Sequence, residues 1–378
     1  MRPLPSPGDA VAAIDTPALV IDLDAMERNL AAMAAFARDH GVRLRPHAKM
    51  HKCAAIARLQ MAAGAVGVCV QKTSEAEALA DAGIADIYIS NEVVDPVKLA
   101  RVAALARRVR LAIAIDSVAG VERLAAAVAA AGSRIEVLVE VDVGHGRCGA
   151  PAAAAGQLAQ RVVSHAPPEG GLVFAGLQAY HGAAQHLRGA AEREAAAHHA
   201  AALARAAQAA MGALGIACPL VTGAGTGTFA YDAASGIWGE LQAGSYLFMD
   251  RDYADNAPTP GAPRFEHALF VKSQIMSRGA AHAVVDAGHK SHAIDSGLPR
   301  VWQRELDYGN GGDEHGIVRV RVGSGAAELP ELGATVWLVP GHCDPTVNLH
   351  DRYVAVRGGL AGGRVAAVWP IEARGCVS

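Results

Sequence analysis

At 378 residues, with 52% hydrophobic and 19% charged side chains, the chain can bury the cores of one large domain and a smaller one. Its formal charge of −3 lacks the basic excess of a nucleic-acid binder, and no apolar run approaches the roughly 18 residues that a membrane span needs. The six cysteines, at positions 53, 69, 148, 218, 343 and 376, have no paired spacing, as expected of reduced thiols in a cytoplasm.

The stretch Met1 to Thr16 is rich in Pro, Gly and Ala and has no basic start followed by an apolar run, so no signal peptide is expected. The run Ala18–Leu23 is a candidate to pair with the C-terminal part of the chain. A helix is predicted to begin at Asp24, with Glu27 as its capping-box partner and Met26, Leu30 and Met33 on one face. Short apolar runs then alternate with Ala-rich amphipathic segments. The predicted strands are Arg43–His47, Val66–Val70, Asp86–Ser90, Arg110–Ile115, Ile135–Val141, Val173–Tyr180, Leu220–Gly223 and Gly239–Ala243. Eight strands with seven intervening helices imply an α/β fold with a parallel sheet, best a closed (β/α)8 TIM barrel over residues 24–257. A doubly wound open sheet is the alternative on pattern alone. After the Pro/Gly-rich stretch Ala257–Pro263 come only short apolar runs separated by Gly-rich turns, so residues 258–378 are predicted to form a mostly β domain.

Active sites of such barrels lie at the C-terminal ends of the strands. Polar residues collect at those ends: Pro46-His47-Ala48-Lys49, Gln71-Lys72-Thr73, Asn91-Glu92, Asp142 to Arg147, Gln178 to His181 with Gln185-His186, Thr222 to Thr228, and Gln242 to Tyr246. The glycine-rich loop Gly223–Gly227 lets backbone N–H groups approach an anion, and its lack of a Gly-Lys-Ser/Thr ending excludes a P-loop. Lysines are few: 49, 52, 72, 98, 272 and 290. Lys49 follows a strand end near the expected phosphate site, with no acidic neighbour in sequence. A lysine of depressed pKa there could form a Schiff base, and lysine, phosphate and barrel together point to pyridoxal phosphate. Lys72 competes on spacing, whereas Lys52 reads as a surface lysine. His342-Cys343-Asp344 follows the apolar strand Thr335–Val339, where alternation would turn both outer residues to one side to share a cation. A solvated turn would carry the same pair. Asp313-Glu314-His315 and His350-Asp351 are competitors or supporting partners.

Arg45-Pro-His-Ala-Lys49-Met-His-Lys52, Gln178-Ala-Tyr-His-Gly182, Gly223-Ala-Gly-Thr-Gly227, Leu241-Gln-Ala-Gly-Ser-Tyr246 and Gly341-His-Cys-Asp-Pro-Thr346 together resemble the D-threonine aldolases, over about residues 15 to 375. These belong to the fold type III pyridoxal-phosphate group with alanine racemase, eukaryotic D-serine dehydratase and 3-hydroxy-D-aspartate aldolase. The resemblance implies Lys49 as the Schiff-base lysine and Arg147 on the cofactor's phenolic oxygen. It implies Tyr180 along the ring, Thr226, Gly227, Gly244, Ser245 and Tyr246 around the phosphate with Gln71 nearby, and His342 and Asp344 as metal ligands. It also implies a homodimer. Two departures follow: Leu220 to Ala230 lacks the arginine that meets the pyridine nitrogen in alanine racemase, and Asp344 stands where D-serine dehydratase has a Cys that suits zinc. An oxygen ligand there suits manganese or magnesium better. The implied reaction is retro-aldol cleavage of a D-β-hydroxy-α-amino acid such as D-threonine; because histidine titrates near neutral pH, His186, or second His181, is expected as the base. The alternatives are 3-hydroxy-D-aspartate aldolase, then a D-serine or hydroxyaspartate dehydratase, and finally a non-enzymatic cofactor-binding barrel.

Overall fold

A computed structural model describes residues 4–168, 170–325 and 328–378; the first three residues of the N-terminal stretch lie outside it. The strands Arg43–Leu44, Val68–Val70, Asp86–Ile89, Arg110–Ile115, Ile135–Glu140, Leu172–Ala179, Val221–Gly223 and Glu240–Leu241 form one parallel sheet. The first pairs with the last (Arg43 with Glu240), and a bridge from His47 to Cys69 joins the first to the second, which closes the barrel. The physical reason is visible in the strand residues. Val68, Val70, Ile87, Ile89, Ile113, Ile115, Val137 and Val139 belong to the large core with the surrounding helices, while Cys69, Tyr88, Ala112, Ala114 and Leu138 form a separate cluster. Side chains alternate in a strand, so a sheet covered on both faces reads as a continuous apolar run.

The first long helix runs Leu23–Asp39, and its cap differs from the expected one. Asp22 caps it by accepting the Ala25 N–H at 3.2 Å. Asp24 and Glu27 are instead engaged across the molecule, where both accept from the Arg357 guanidinium and Asp24 also accepts the Gly358 N–H. Either aspartate satisfies the local capping pattern; the distant arginine decides between them.

Residues beyond 268 build a second, nine-stranded sheet around Leu269–Arg278, mainly antiparallel. Ala18–Asp22 lies inside it, antiparallel to Leu269–Arg278 (Ala18 with Lys272) and parallel to Arg352–Arg357 (Val20 with Val354). Two strands have no counterpart in the sequence reading: Arg300–Val301 and Leu306–Asn310. The second contains Asp307, Gly309 and Asn310, all poor strand formers, and is held by buried Leu306 and Tyr308 pairing with Gly316–Val320. No helix among the described residues is long and apolar enough to cross a membrane.

Candidate active site

A cavity of about 240 Å³ opens at the C-terminal ends of the barrel strands, and its wall is completed by the turn after the strand Thr335–Val339 of the second sheet. Lys49 sits on the short helical turn Ala48–Met50 directly after the first barrel strand. His47, buried beside it, is held by Gln71 Nε2 at 3.0 Å and Ser90 Oγ at 3.3 Å. Burial and the Lys49 charge push the His47 imidazole well below its usual pKa, which keeps it neutral. Lys52, expected at the surface, is buried, with its Nζ 3.2 Å from Glu75 Oε1 and 3.1 Å from Asn348 Oδ1. Lys72 caps the helix Thr73–Asp81 and does not line the cavity.

The expectation of a depressed Lys49 pKa is not met. Burial opposes the charge, but the Asp344 carboxylate, with Nζ 3.6 Å from its Oδ2, and the Tyr180 phenol hold the ammonium above its usual value. Asp344 is nearly three hundred residues away in sequence, so no local reading could have found it.

His342 and Asp344 do converge, by a different route from strand alternation. The strand ends at Val339, His342 is the N-cap of a one-turn helix Cys343–Val347, and Asp344 lies in its first turn. Cys343 is buried, and its N–H donates to Asp250 Oδ2 at 2.9 Å. Burial pushes the Asp250 carboxyl up to about 6, against the two N–H bonds it accepts from Tyr253 and Cys343. His342 Nε2 lies 3.8 Å from Asp344 Oδ1, and that oxygen is buried without a hydrogen-bond partner. His342 Nδ1 meets Asp295 Oδ2 at 2.7 Å. A carboxylate on one imidazole nitrogen fixes the tautomer and turns the other nitrogen's lone pair outward, as around bound metals. The donor set therefore fits a divalent cation with one nitrogen and one oxygen ligand. With two protein ligands such an ion would keep positions open for water and substrate. Asp313 and His289 instead pair at 2.8 Å, and His350 meets Ser291 O at 2.8 Å, none of them lining the cavity.

Ala224, Gly225, Thr226, Gly244 and Ser245 also line the cavity. Among the described residues the N–H groups of Gly225, Thr226, Gly244 and Ser245 have no acceptor, and Ala224 takes a left-handed φ of 67°. Such a concavity of free N–H groups fits a phosphate. Gly227 and Tyr246 do not belong to it. The Gly227 N–H is spent on Gln185 Oε1 at 2.8 Å, and the Tyr246 N–H on Thr226 Oγ1 at 3.0 Å. The Tyr246 ring is fully buried against Phe265.

Arg147, Tyr180 and Gln71 line the cavity. The loop bearing Arg147 is shaped by Asp142, whose Oδ1 accepts the Gly144 and Gly146 N–H groups at 2.9 and 3.1 Å. His145 on the same loop also lines the cavity and accepts the Ala183 N–H at 2.8 Å; it had carried no sequence signal beyond its neighbours. His186 lines the cavity, with Nδ1 at 2.5 Å from Asp252 Oδ2. His181 does not: it packs behind Gly144 with Nδ1 buried and unpartnered, so of the two expected histidines it is His186 that faces the cavity. Sequence reasoning also missed Asp252, Tyr253 and Asp295, acids and a phenol in stretches with no recognisable pattern.

An alanine racemase N-terminal domain model matches residues 21–252, and a serine dehydratase domain model matches residues 268–356. The chain is 48% identical to D-threonine aldolase of Arthrobacter sp, over 99% of this chain and 97% of that protein. It is 42% identical to 3-hydroxy-D-aspartate aldolase of Paracoccus denitrificans, over 98% and 94%. The crystal structure of D-threonine aldolase from Filomicrobium marinum superposes with a TM-score of 0.93 at 49% identity, covering all of both chains. The chain belongs to this family of D-amino-acid aldolases, built on the alanine racemase barrel.

Proposed function

We propose, for this member of the aldolase family, that the chain is a carbon–carbon lyase that cleaves D-β-hydroxy-α-amino acids, D-threonine to glycine and acetaldehyde, with pyridoxal phosphate and a divalent cation. The observation that carries this reading is the convergence on one cavity of Lys49, the His342/Asp344 pair and His186. Bound there, the two groups would supply an electron sink at Cα and Lewis acidity at the β-hydroxyl.

Lys49 would carry the cofactor, Tyr180 would lie along its ring, and Arg147 would meet its phenolic oxygen. The N–H groups of Gly225, Thr226, Gly244 and Ser245 would hold the phosphate. His342 and Asp344 would hold manganese or magnesium in preference to zinc, because the carboxylate is a hard oxygen ligand. His186 would take the β-hydroxyl proton as the Cα–Cβ bond breaks. The assembly we expect is a cytoplasmic homodimer.

D-threonine is favoured over 3-hydroxy-D-aspartate by the charges around the cavity. Among the described residues that line it, the side chains carrying a permanent positive charge are Lys49 and Arg147. Arg188, two residues beyond His186, spends its guanidinium on Asp252 and Asn256. A second substrate carboxylate would thus lack a dedicated cation near His186.

Glycine and ammonia release from D-threonine, D-3-hydroxyaspartate and D-serine with added manganese tests the reading. Glycine from D-threonine is expected; ammonia would turn the assignment to a dehydratase. Lys49→Ala is expected to abolish the visible absorbance of the bound cofactor, and its survival there with loss in Lys72→Ala would reverse the lysine assignment. Asp344→Ala should lose cleavage and retain the cofactor absorbance.

A further inference from the structure

The side of His186 away from the cavity is built in unusual detail. Asp252 Oδ2 meets its Nδ1 at 2.5 Å, and the other oxygen, Oδ1, accepts from Arg188 Nη2. Arg188 Nη1 donates to the Asp252 carbonyl and, at 2.8 Å, to Asn256 Oδ1. Asn256 Nδ2 in turn donates to Gln185 O at 2.9 Å. Arg193, 1% exposed, donates Nη1 to Leu187 O at 2.6 Å and to Arg188 O at 3.0 Å, so Asn256 holds the backbone before His186 and Arg193 the backbone after it. Asp252 itself is 6% exposed, while the His186 side chain remains about half open.

An ionised carboxylate only accepts hydrogen bonds, so Nδ1 must be the protonated nitrogen of a neutral His186 and Nε2 must carry the lone pair. We propose that Asp252, clamped by Arg188, is the positioning residue that fixes this tautomer and presents Nε2 to the β-hydroxyl of the substrate. The inference rests on His186 being the base. In the step, the substrate O–H breaks and an Nε2–H bond forms. The oxygen pair becomes the aldehyde C=O as the Cα–Cβ pair stays on Cα, which then takes a proton from solvent to give glycine. His186 returns its proton to solvent. Asp252 keeps its charge throughout and offsets that of the transient imidazolium, the part played by the aspartate of serine-protease triads.

Arg188 makes the test sharp. In Asp252→Asn the amide oxygen must face the guanidinium, so the amide N–H2 faces His186 Nδ1 and forces the proton onto Nε2. Long-range proton–nitrogen NMR of the holoenzyme with 15N-labelled histidine is expected to show Nδ1–H for His186 in the wild type and Nε2–H in the variant, the resonance being identified by its loss in His186→Ala. Cleavage of D-threonine is expected to fall at least ~100-fold in kcat with KM within about threefold, the direction seen when a triad aspartate becomes asparagine. Exchange of the glycine α-proton in D2O, which needs no β-hydroxyl base, is expected to stay within about threefold of wild type. An unchanged tautomer, a kcat within threefold of wild type, or exchange that falls in parallel with cleavage would overturn the assignment of Asp252. Full cleavage by His186→Ala would instead overturn His186 as the base. Loss in His186→Ala with retention in Asp252→Asn would sink the positioning role alone.

Discussion

Lys49 and His342 were candidates from their neighbours in sequence, against Lys72 and a solvated turn, but the contacts that set their chemistry carried no signal at all. Asp344 faces Lys49 at 3.6 Å, and Asp295, with no pattern around it, meets His342 Nδ1 at 2.7 Å. A lone aspartate between Ile294 and Ser296 looks like any turn residue, and only the packing of its loop against the helix Cys343–Val347 gives it a function. If Asp295 orients His342 for a cation, Asp295→Ala should weaken manganese affinity by roughly ten- to a hundredfold, the usual cost of removing such a partner. Isothermal titration of the metal checks this independently of turnover. Undiminished affinity would leave Asp295 as a surface acid.

The elements that carry the site show why some loop assignments held their place and others moved. Gly223–Gly227 reads from sequence as a phosphate loop throughout its length, yet its middle and its C-terminal end do different work. Gly225 lies in the cavity wall, whereas Gly227 is turned to Gln185, and a Cβ on either would strike that residue, at 2.4 Å from Oε1 for Gly225 and 2.6 Å from O for Gly227. The loop thereby packs directly on the turn Ala183–His186 that bears His186. Gly225→Ala should raise the dissociation constant for pyridoxal phosphate at least tenfold, read from absorbance titration. Adding Gln185→Ala should recover part of the loss, since the Oε1 clash is then relieved. The barrel strands were legible because their apolar runs are short, β-branched and regularly spaced. Leu306–Asn310 was not, because its place in the sheet depends on a partner strand more than on its own residues.

At the scale of the molecule the two sheets meet at the site, and buried histidines in both parts tie its stability to pH. His51, whose Nδ1 accepts the Cys53 N–H at 3.1 Å, lies under the Tyr353 hydroxyl's bond to its carbonyl. His292 meets the Tyr308 hydroxyl at 2.9 Å. Burial lowers both from 6.5 to about 4, against the weaker opposing hydrogen bonds. Between those values the unfolded chain binds more protons than the folded one, so each histidine makes stability rise with pH. Its contribution is complete above 6.5 and falls away on acidification toward pH 4, by about 3 kcal/mol per residue from the size of the shift. Urea midpoints at pH 7 and pH 5 should therefore converge in His292→Gln relative to the wild type. An equal acid loss in both would remove this histidine from the account.

Family resemblance settled Lys49 over Lys72 and a metal pair over a solvated turn; by itself the sequence carried the strand–helix alternation of a parallel α/β fold, the mostly β character of the C-terminal part, and the lysine, glycine loop and His-x-Asp pair as candidates. Each is a local pattern of apolar periodicity or residue type. Tertiary structure alone decided which partners those groups have. Asp344 on Lys49, Asp295 on His342, and Asp252 on His186 are contacts between segments tens to hundreds of residues apart. Charge and hydrogen-bond direction act over a few ångströms of space, and only the closed barrel and its docked sheet turn sequence separation into that distance.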